Sequence, residues 1–271
     1  MTDTARTGTV HLLRHGKVHN PSGILYGRLP GYVLAGSGQA MAEAVCRDLA
    51  GERGAGGRID LAYLAASSLV RAQQTAAPLV AEFGVPLVTD DRLIEAGNRF
   101  EGRRMTARTT TGELLRHPSK WPWLRNPLRP SWGEPYLDIA HRMLGAVYTA
   151  LDALDSRDHH GAGRDAVLVS HQLPIWTVRR YLTGHRLWHD PRSRQCAVAS
   201  LTSLHFEDGV FVGVSYREPA GHIAAVDDPE PHATGITPDD PTADGTLEGT
   251  ADPGGVEPSG TDGPTRGGGR R

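Results

Sequence analysis

Two histidines stand where side chains can be delivered to a reaction. Val10-His11-Leu12-Leu13 runs into Arg14-His15-Gly16, and Ala166-Val167-Leu168-Val169 runs into Ser170-His171. Each is a short apolar run with strand propensity that stops abruptly at a histidine. A neutral imidazole, with an ordinary pKa of about 6.5, is a nucleophile at neutral pH. Arg14 beside it supplies a fixed cation, and Gly16 lets the backbone approach closely. The pair is suited to holding an anion and attacking it. Most histidines in a chain are structural, so placement at a strand end is what singles these two out.

Arg71 adds a second guanidinium. It opens a helical pattern within Ser67-Ser68-Leu69-Val70-Arg71-Ala72-Gln73-Gln74-Thr75-Ala76. A guanidinium fork matches the non-bridging oxygens of a phosphate in shape and charge, and a helix N-terminus adds its own positive end. His171 could bond a phosphoryl oxygen and stabilise charge building on it. Glu95, in Leu93-Ile94-Glu95-Ala96 after the third apolar run, is the best placed general acid and base. His159, His160, His185 and His189 form no recognisable metal-ligand spacing, so neither a metal nor another cofactor is expected.

The elements that must hold these groups alternate between strand and helix. After the first strand, a Gly- and Pro-rich loop spans Asn20 to Val33. A helix over Ser37–Ala50 follows, with Met41, Val45 and Leu49 on one face. Leu61–Ala65 reads as a strand, Leu69–Phe83 as a helix and Val85–Thr89 as a short strand. Tyr136–Leu154 carries Ile139, Met143, Val147, Leu151 and Leu154 at helical period. Ala166–Ser170 is a buried strand and Leu173–Thr183 a helix. Strands over Ala199–Phe206 and Val210–Tyr216 meet at Asp208-Gly209, a hairpin signal. The expected fold is α/β, a three-layer α/β/α sandwich with a mixed, mostly parallel central sheet. Such sheets bind ligands at the carboxyl ends of their strands, where both histidines fall.

Two stretches break this pattern. Gly97 to Gly133 is an irregular basic excursion, with Trp121, Trp123 and Trp132 among prolines and at most a helical turn or two near Gly112–Leu115. From Val226 onward the chain is built of Asp, Pro, Gly and Thr without an aromatic residue, and is expected to be a disordered tail, leaving residues 1–225 as the folded domain. The whole chain carries a net charge of −2; residues 226–271 hold ten acidic residues and three arginines, so they carry −7 and residues 1–225 carry +5. A mildly basic globular part suits an anionic substrate. The two cysteines, Cys46 and Cys196, lie far apart and suit reduced cytosolic thiols, with Cys46 on a core-facing helix side. No run is long enough to span a bilayer and Met1–Gly8 lacks a signal-peptide core, so a cytoplasmic location is expected.

Leu13-Arg14-His15-Gly16, Leu34-x-x-x-Gly38-x-x-x-Ala42, Ser67-x-Leu69-x-Arg71-Ala72-x-x-Thr75, Leu93-x-Glu95 and Val169-Ser170-His171 occur in this order, and together they resemble the histidine phosphatase superfamily. That family contains the cofactor-dependent phosphoglycerate mutases and many phosphatases. The resemblance spans nearly all of residues 9–217. It implies a phosphohistidine formed on His15, a pocket made from Arg14, Arg71 and His171, Glu95 as proton donor, and no metal. Gln172 stands where a glycine often follows the second histidine and is counted with the phosphate-binding residues. Asn20 and Arg28, in the loop after the first strand, are candidate substrate contacts. Lys17, and an acid-to-Gly102 stretch one residue short, also depart from the usual pattern, on the rim that selects substrate.

The resulting expectation is a metal-independent phosphomonoester hydrolase acting on a small phosphorylated metabolite. The alternatives are a phosphoglycerate mutase using the same intermediate, or a non-catalytic binder of phosphorylated partners or nucleic acid through the basic excursion. The excursion's Trp-Pro-Arg pattern does not resemble the mutase one, and retention of all the catalytic residue types disfavours an idle binder. The expected partner is a small-molecule phosphoester, with a second copy of the chain in a homodimer as a further possibility and neither nucleic acid nor membrane involved.

Overall fold

The computed structural model describes residues 7–51, 57–104, 133–154 and 164–224. The expected helical turn near 112–115, the tryptophans of the basic excursion and the acidic tail lie outside the described residues. Every described residue falls within one compact unit, residues 1–239.

Among the described residues, six strands form one sheet: β1 (Gly8–Arg14), β2 (Asp60–Ala66), β3 (Leu87–Thr89), β4 (Arg164–Ser170), β5 (Leu201–Glu207) and β6 (Val210–Arg217). Their spatial order is β3-β2-β4-β1-β5-β6. The first four in that order run parallel, while β5 is antiparallel to β1 and β6 to β5. Among the described residues, four helices connect them: α1 (Gly36–Leu49), α2 (Val70–Phe83), α3 (Tyr136–Leu154) and α4 (Gln172–Leu182).

The period-two alternation of the central strands divides the core. Val10 and Leu12 of β1 and Ala166 and Leu168 of β4 pack with Ile139, Met143 and Val147 of α3 and Ile175 and Val178 of α4. Leu13, Val167 and Val169 point the other way, onto Met41, Val45 and Leu49 of α1 and Ala72, Ala76 and Leu79 of α2. A strand covered on both faces has no polar side to present, which is why Ala166–Val169 is unbroken in apolar character. The three-layer α/β/α arrangement read from the sequence is the one observed.

Where element ends shift, local chemistry explains it. The third strand begins at Leu87 rather than Val85, because Pro86 has no N–H to give the ladder. The fifth begins at Leu201 because Ala199 takes a left-handed backbone, with φ 53°. The hairpin loop Asp208-Gly209 has φ 52° and 76°, the two positive angles that a type I′ turn requires. Cys46 and Cys196 are both buried and outside any disulfide.

Candidate active site

β1 and β4 end together. Arg14 and Ser170 are register partners, and the His15 amide donates to the Ser170 carbonyl at 3.1 Å. The next residue on each strand is a histidine, so the parallel pairing brings His15 and His171 side by side. Their ring centroids lie 5.0 Å apart with the planes inclined at 59°. Both rings are buried.

The protonation pattern of His15 is set by its neighbour. Nδ1 lies 2.8 Å from the Gly16 carbonyl oxygen. A carbonyl only accepts, so Nδ1 carries the proton and Nε2 keeps its lone pair. Burial, and then the charges of Arg71 and Arg14, hold the ring pKa well below its ordinary value, while the Gly16 bond opposes them. The ring is therefore neutral and nucleophilic well into mild acid.

Glycine is required at this turn by contact with backbone. A Cβ on Gly16 would meet the Gly38 carbonyl oxygen at 2.4 Å, and one on Gly38 would meet the Lys17 oxygen at 2.0 Å. The His15 turn thus rests directly on the first turn of α1. From the other side, the Gly16 amide donates to Thr75 Oγ1 at 3.1 Å, and that hydroxyl donates to the Arg71 carbonyl at 2.7 Å. The motif residues Gly16, Gly38 and Thr75 are one scaffold.

Arg71 is 1% exposed, although its guanidinium is charged. Nη2 donates to the Gly27 carbonyl at 2.6 Å, and the group lies 4.8 Å from the Tyr26 ring centroid. Arg14 Nη1 donates to the Cys196 carbonyl at 2.6 Å. Arg14 Nε, Arg71 Nε and His171 Nδ1 are buried and have no hydrogen-bond partner among the described residues. An anion accepting from such donors would offset the cost of burying them.

His171 Nε2 lies 2.9 Å from Ser67 Oγ, which accepts from the Leu69 amide at 3.3 Å. With the Ser67 hydroxyl donating to Nε2, the ring proton sits on Nδ1 and His171 is a neutral donor. Burial, His15 and the surrounding arginines lower its pKa well below the ordinary value.

Glu95 follows a 3₁₀ turn, Asp91–Leu93, that Ser170 anchors by donating from Oγ to the Leu93 carbonyl at 2.7 Å. Its Oε1 accepts from the Ala96 amide at 2.8 Å. Burial raises its pKa, against the Ala96 bond and the charges of Arg71, Arg14 and Arg194. A carboxyl that keeps its proton longer than usual is suited to giving it to a leaving oxygen.

Gln172 Nε2 reaches the Cys196 carbonyl at 3.4 Å, the same acceptor that Arg14 uses. Asn20 uses both ends of its amide on Ile24, at 2.8 and 3.1 Å, and so closes its own turn. Arg28 donates from Nε to the Glu95 carbonyl at 2.6 Å and from Nη2 to Glu134 at 2.9 Å. The fold therefore gathers His15, His171, Arg14, Arg71, Glu95 and Gln172, ties Arg28 to the Glu95 backbone, and joins the Asn20 amide to the Ile24 backbone.

Reading the sequence alone missed four participants. Arg194 donates to His189 Nε2 at 2.8 Å and reaches Gln172 Oε1 at 3.5 Å, beside the cluster. Tyr26 lines Arg71. Glu134 and Arg142 pair at 2.8 Å. No local pattern marks Arg194 or Tyr26, which lie in irregular segments. Glu134 just before α3 and Arg142 two turns into it could have been noticed as a pair, since long helical side chains lean back toward the N-terminus.

Comparison with known proteins agrees with this geometry. The family model for the histidine phosphatase superfamily (branch 1) matches residues 10–219, and the chain belongs to that family. It is 51% identical over 212 residues to the protein named "Uncharacterized protein Rv0525" of Mycobacterium tuberculosis (strain ATCC 25618 / H37Rv), an alignment covering 78% of this chain and 96% of that one. Among solved structures, it is similar to mycobacterial glucosyl-3-phosphoglycerate phosphatase Rv2419c, with TM-score 0.56, 25% identity, and 74% and 90% of the two chains covered. Bacillus stearothermophilus YhfR shares the fold at TM-score 0.60 and 21% identity, over 76% and 94% of the chains. Among the described residues, no helix is long and apolar enough to cross a membrane.

Proposed function

We propose that the protein is a phosphomonoester hydrolase acting through a phosphohistidine on His15. The observation that carries this reading is the Nδ1 bond to Gly16 at 2.8 Å, which commits the Nε2 lone pair to attack within the arginine-lined histidine pair. Nε2 attacks phosphorus, and the bond from phosphorus to the leaving oxygen breaks. That oxygen takes the Glu95 proton. The Glu95 carboxylate then accepts a proton from water as the water attacks the phosphohistidine, and the N–P electron pair returns to Nε2. Arg14, Arg71 and His171 donate to the transferring oxygens throughout.

The scheme uses no metal. The substrate is a small phosphorylated metabolite, and the phosphatase activity named for the similar mycobacterial enzyme supports hydrolysis over phosphoryl return. Two buried cysteines outside any disulfide accord with a reducing cytoplasm.

The test is a panel of sugar phosphates, phosphoglycerates, nucleotides and phosphopeptides, run with and without EDTA and beside a mutase assay on 3-phosphoglycerate. Phosphate release that EDTA does not change is expected. His15→Ala should lower it by about 10⁴-fold or more. Isomerisation of 3-phosphoglycerate exceeding phosphate release would replace the hydrolase reading.

A further inference from the structure

The segment carrying Glu95 is held from outside by three side chains that play no part in the chemistry described above. Arg142 Nη1 donates to the Arg92 carbonyl at 2.5 Å. Arg28 Nε donates to the carbonyl of Glu95 itself at 2.6 Å. Glu134 lies between these two guanidiniums. Its Oε1 accepts from Arg142 Nε at 2.8 Å, and its Oε2 accepts from Arg28 Nη2 at 2.9 Å and Arg142 Nη2 at 3.2 Å.

The backbone completes the clamp. The Glu134 amide donates to the Gly97 carbonyl at 3.3 Å. A Cβ on Gly133 would meet that same oxygen at 1.6 Å, so the two strands of chain touch with no room for a side chain. Three carbonyls around the acid, those of residues 92, 95 and 97, are thus bound by groups on or paired with the start of α3.

A surface ion pair contributes little to stability, but this carboxylate is 19% exposed and bridges two cations that each hold backbone. Its use lies in geometry. A general acid acts only when its oxygen reaches the leaving atom, and a displacement of about 1 Å can cost about 10²-fold. Among the described residues, the Glu95 carboxyl takes one hydrogen bond, accepted by Oε1 from the adjacent Ala96 amide. Its position is inherited from its backbone.

We infer that Glu134 is a positioning residue for the general acid, acting through Arg28 and Arg142 on the backbone of residues 92–97. This rests on the proposed role of Glu95. Losing Glu134 should therefore impair proton delivery to the leaving group more than attack by His15. Proton delivery matters most for poor leaving groups, such as alcohols, and little for nitrophenolate.

The experiment compares kcat/KM for 4-nitrophenyl phosphate with kcat/KM for an alkyl phosphate that the enzyme accepts. The ratio of the two does not depend on how much of a preparation is folded. In Glu95→Gln the alkyl substrate should lose about 10²-fold more than the aryl one. Glu134→Gln should shift the ratio in the same direction by about tenfold, with Arg142→Gln as a second variant should Glu134→Gln not fold. An unchanged ratio in the Glu134 or Arg142 variant, with the Glu95→Gln shift intact, overturns the positioning role alone. No shift in Glu95→Gln overturns the acid assignment beneath it.

Discussion

His15 and His171 each stand one residue beyond the register pair Arg14–Ser170, and this pairing brings their ring centroids to 5.0 Å. Two residues separated by most of the domain become neighbours because two parallel strands stop at the same level. The site's chemistry follows from that termination. Each ring is neutral, and each has one nitrogen engaged by the protein, by Gly16 for His15 and by Ser67 for His171.

The pH dependence of kcat/KM should be displaced toward acid for the His15 limb and toward base for the Glu95 limb. His15 has a folded pKa well below 6.5, so activity persists below that pH until the ring protonates. Glu95 has a pKa raised from 4.5, so its acid form survives above the usual carboxylate range and the rate declines once it ionises. Glu95→Gln should be slower and lose the basic limb. An alkyl phosphate, whose leaving group needs the Glu95 proton, titrated across pH 4 to 9 reads both limbs, and a basic limb unchanged in Glu95→Gln would assign it to another group.

Folding stability should fall as pH drops below about 6.5. His15 and His171 are buried neutral, with folded pKa values below the unfolded one. Between those values the unfolded chain binds protons that the folded chain refuses, at a cost of up to about 1.4 kcal/mol per ring per pH unit. Glu95 has the opposite sign: its contribution is complete below 4.5 and is lost as pH rises through its folded value. Urea unfolding at pH 7.0, 6.0 and 5.5 should show the decline in the native chain and a shallower one in His171→Asn. Equal slopes would mean that the His171 ring does not resist protonation.

Gly16→Ala and Gly38→Ala should each destabilise the fold by about 1–3 kcal/mol and lower activity further by moving His15. Both new methyl carbons would strike backbone oxygens, at 2.4 and 2.0 Å, which cannot swing aside as a side chain can. Gly213→Ala in β6, where a Cβ would meet nothing within 4 Å, is the control and should melt within a degree or two of the native chain. Similar melting temperatures for all three would show that the His15 turn can relax around a methyl group.

Removing residues 225–271 should leave kcat/KM within about twofold, because a segment without aromatics and rich in Asp, Pro and Gly has little to contribute to a core. Cutting further back to Arg217 is a different matter. Ala220 is buried, and Ile223 packs against the α1/α2 side of the core. The shorter chain should unfold at lower temperature than the longer one. A large activity loss in the longer chain would give the tail a part in the site.

Much of this protein was legible in the order of its residues. Helical period placed Met41, Val45 and Leu49 on a core face, and the unbroken run Ala166–Val169 identified a doubly covered strand. Arg-His-Gly and Ser-His at the ends of apolar runs marked the site, since strand termination is a local event that sequence records. Distances between strands are not. The parallel register, the Gly16–Gly38 contact, the buried Arg71 under Tyr26, and the Arg28–Glu134–Arg142 clamp join segments tens of residues apart. Arg194 looks like an ordinary surface charge in its own neighbourhood, and Glu134 shows there only its pairing with Arg142. Only the packing of the strand-end loops brings Arg28 to Glu134 and His189 and Gln172 to Arg194, because side-chain function here depends on burial and on what lies across the site, and neither quantity is local.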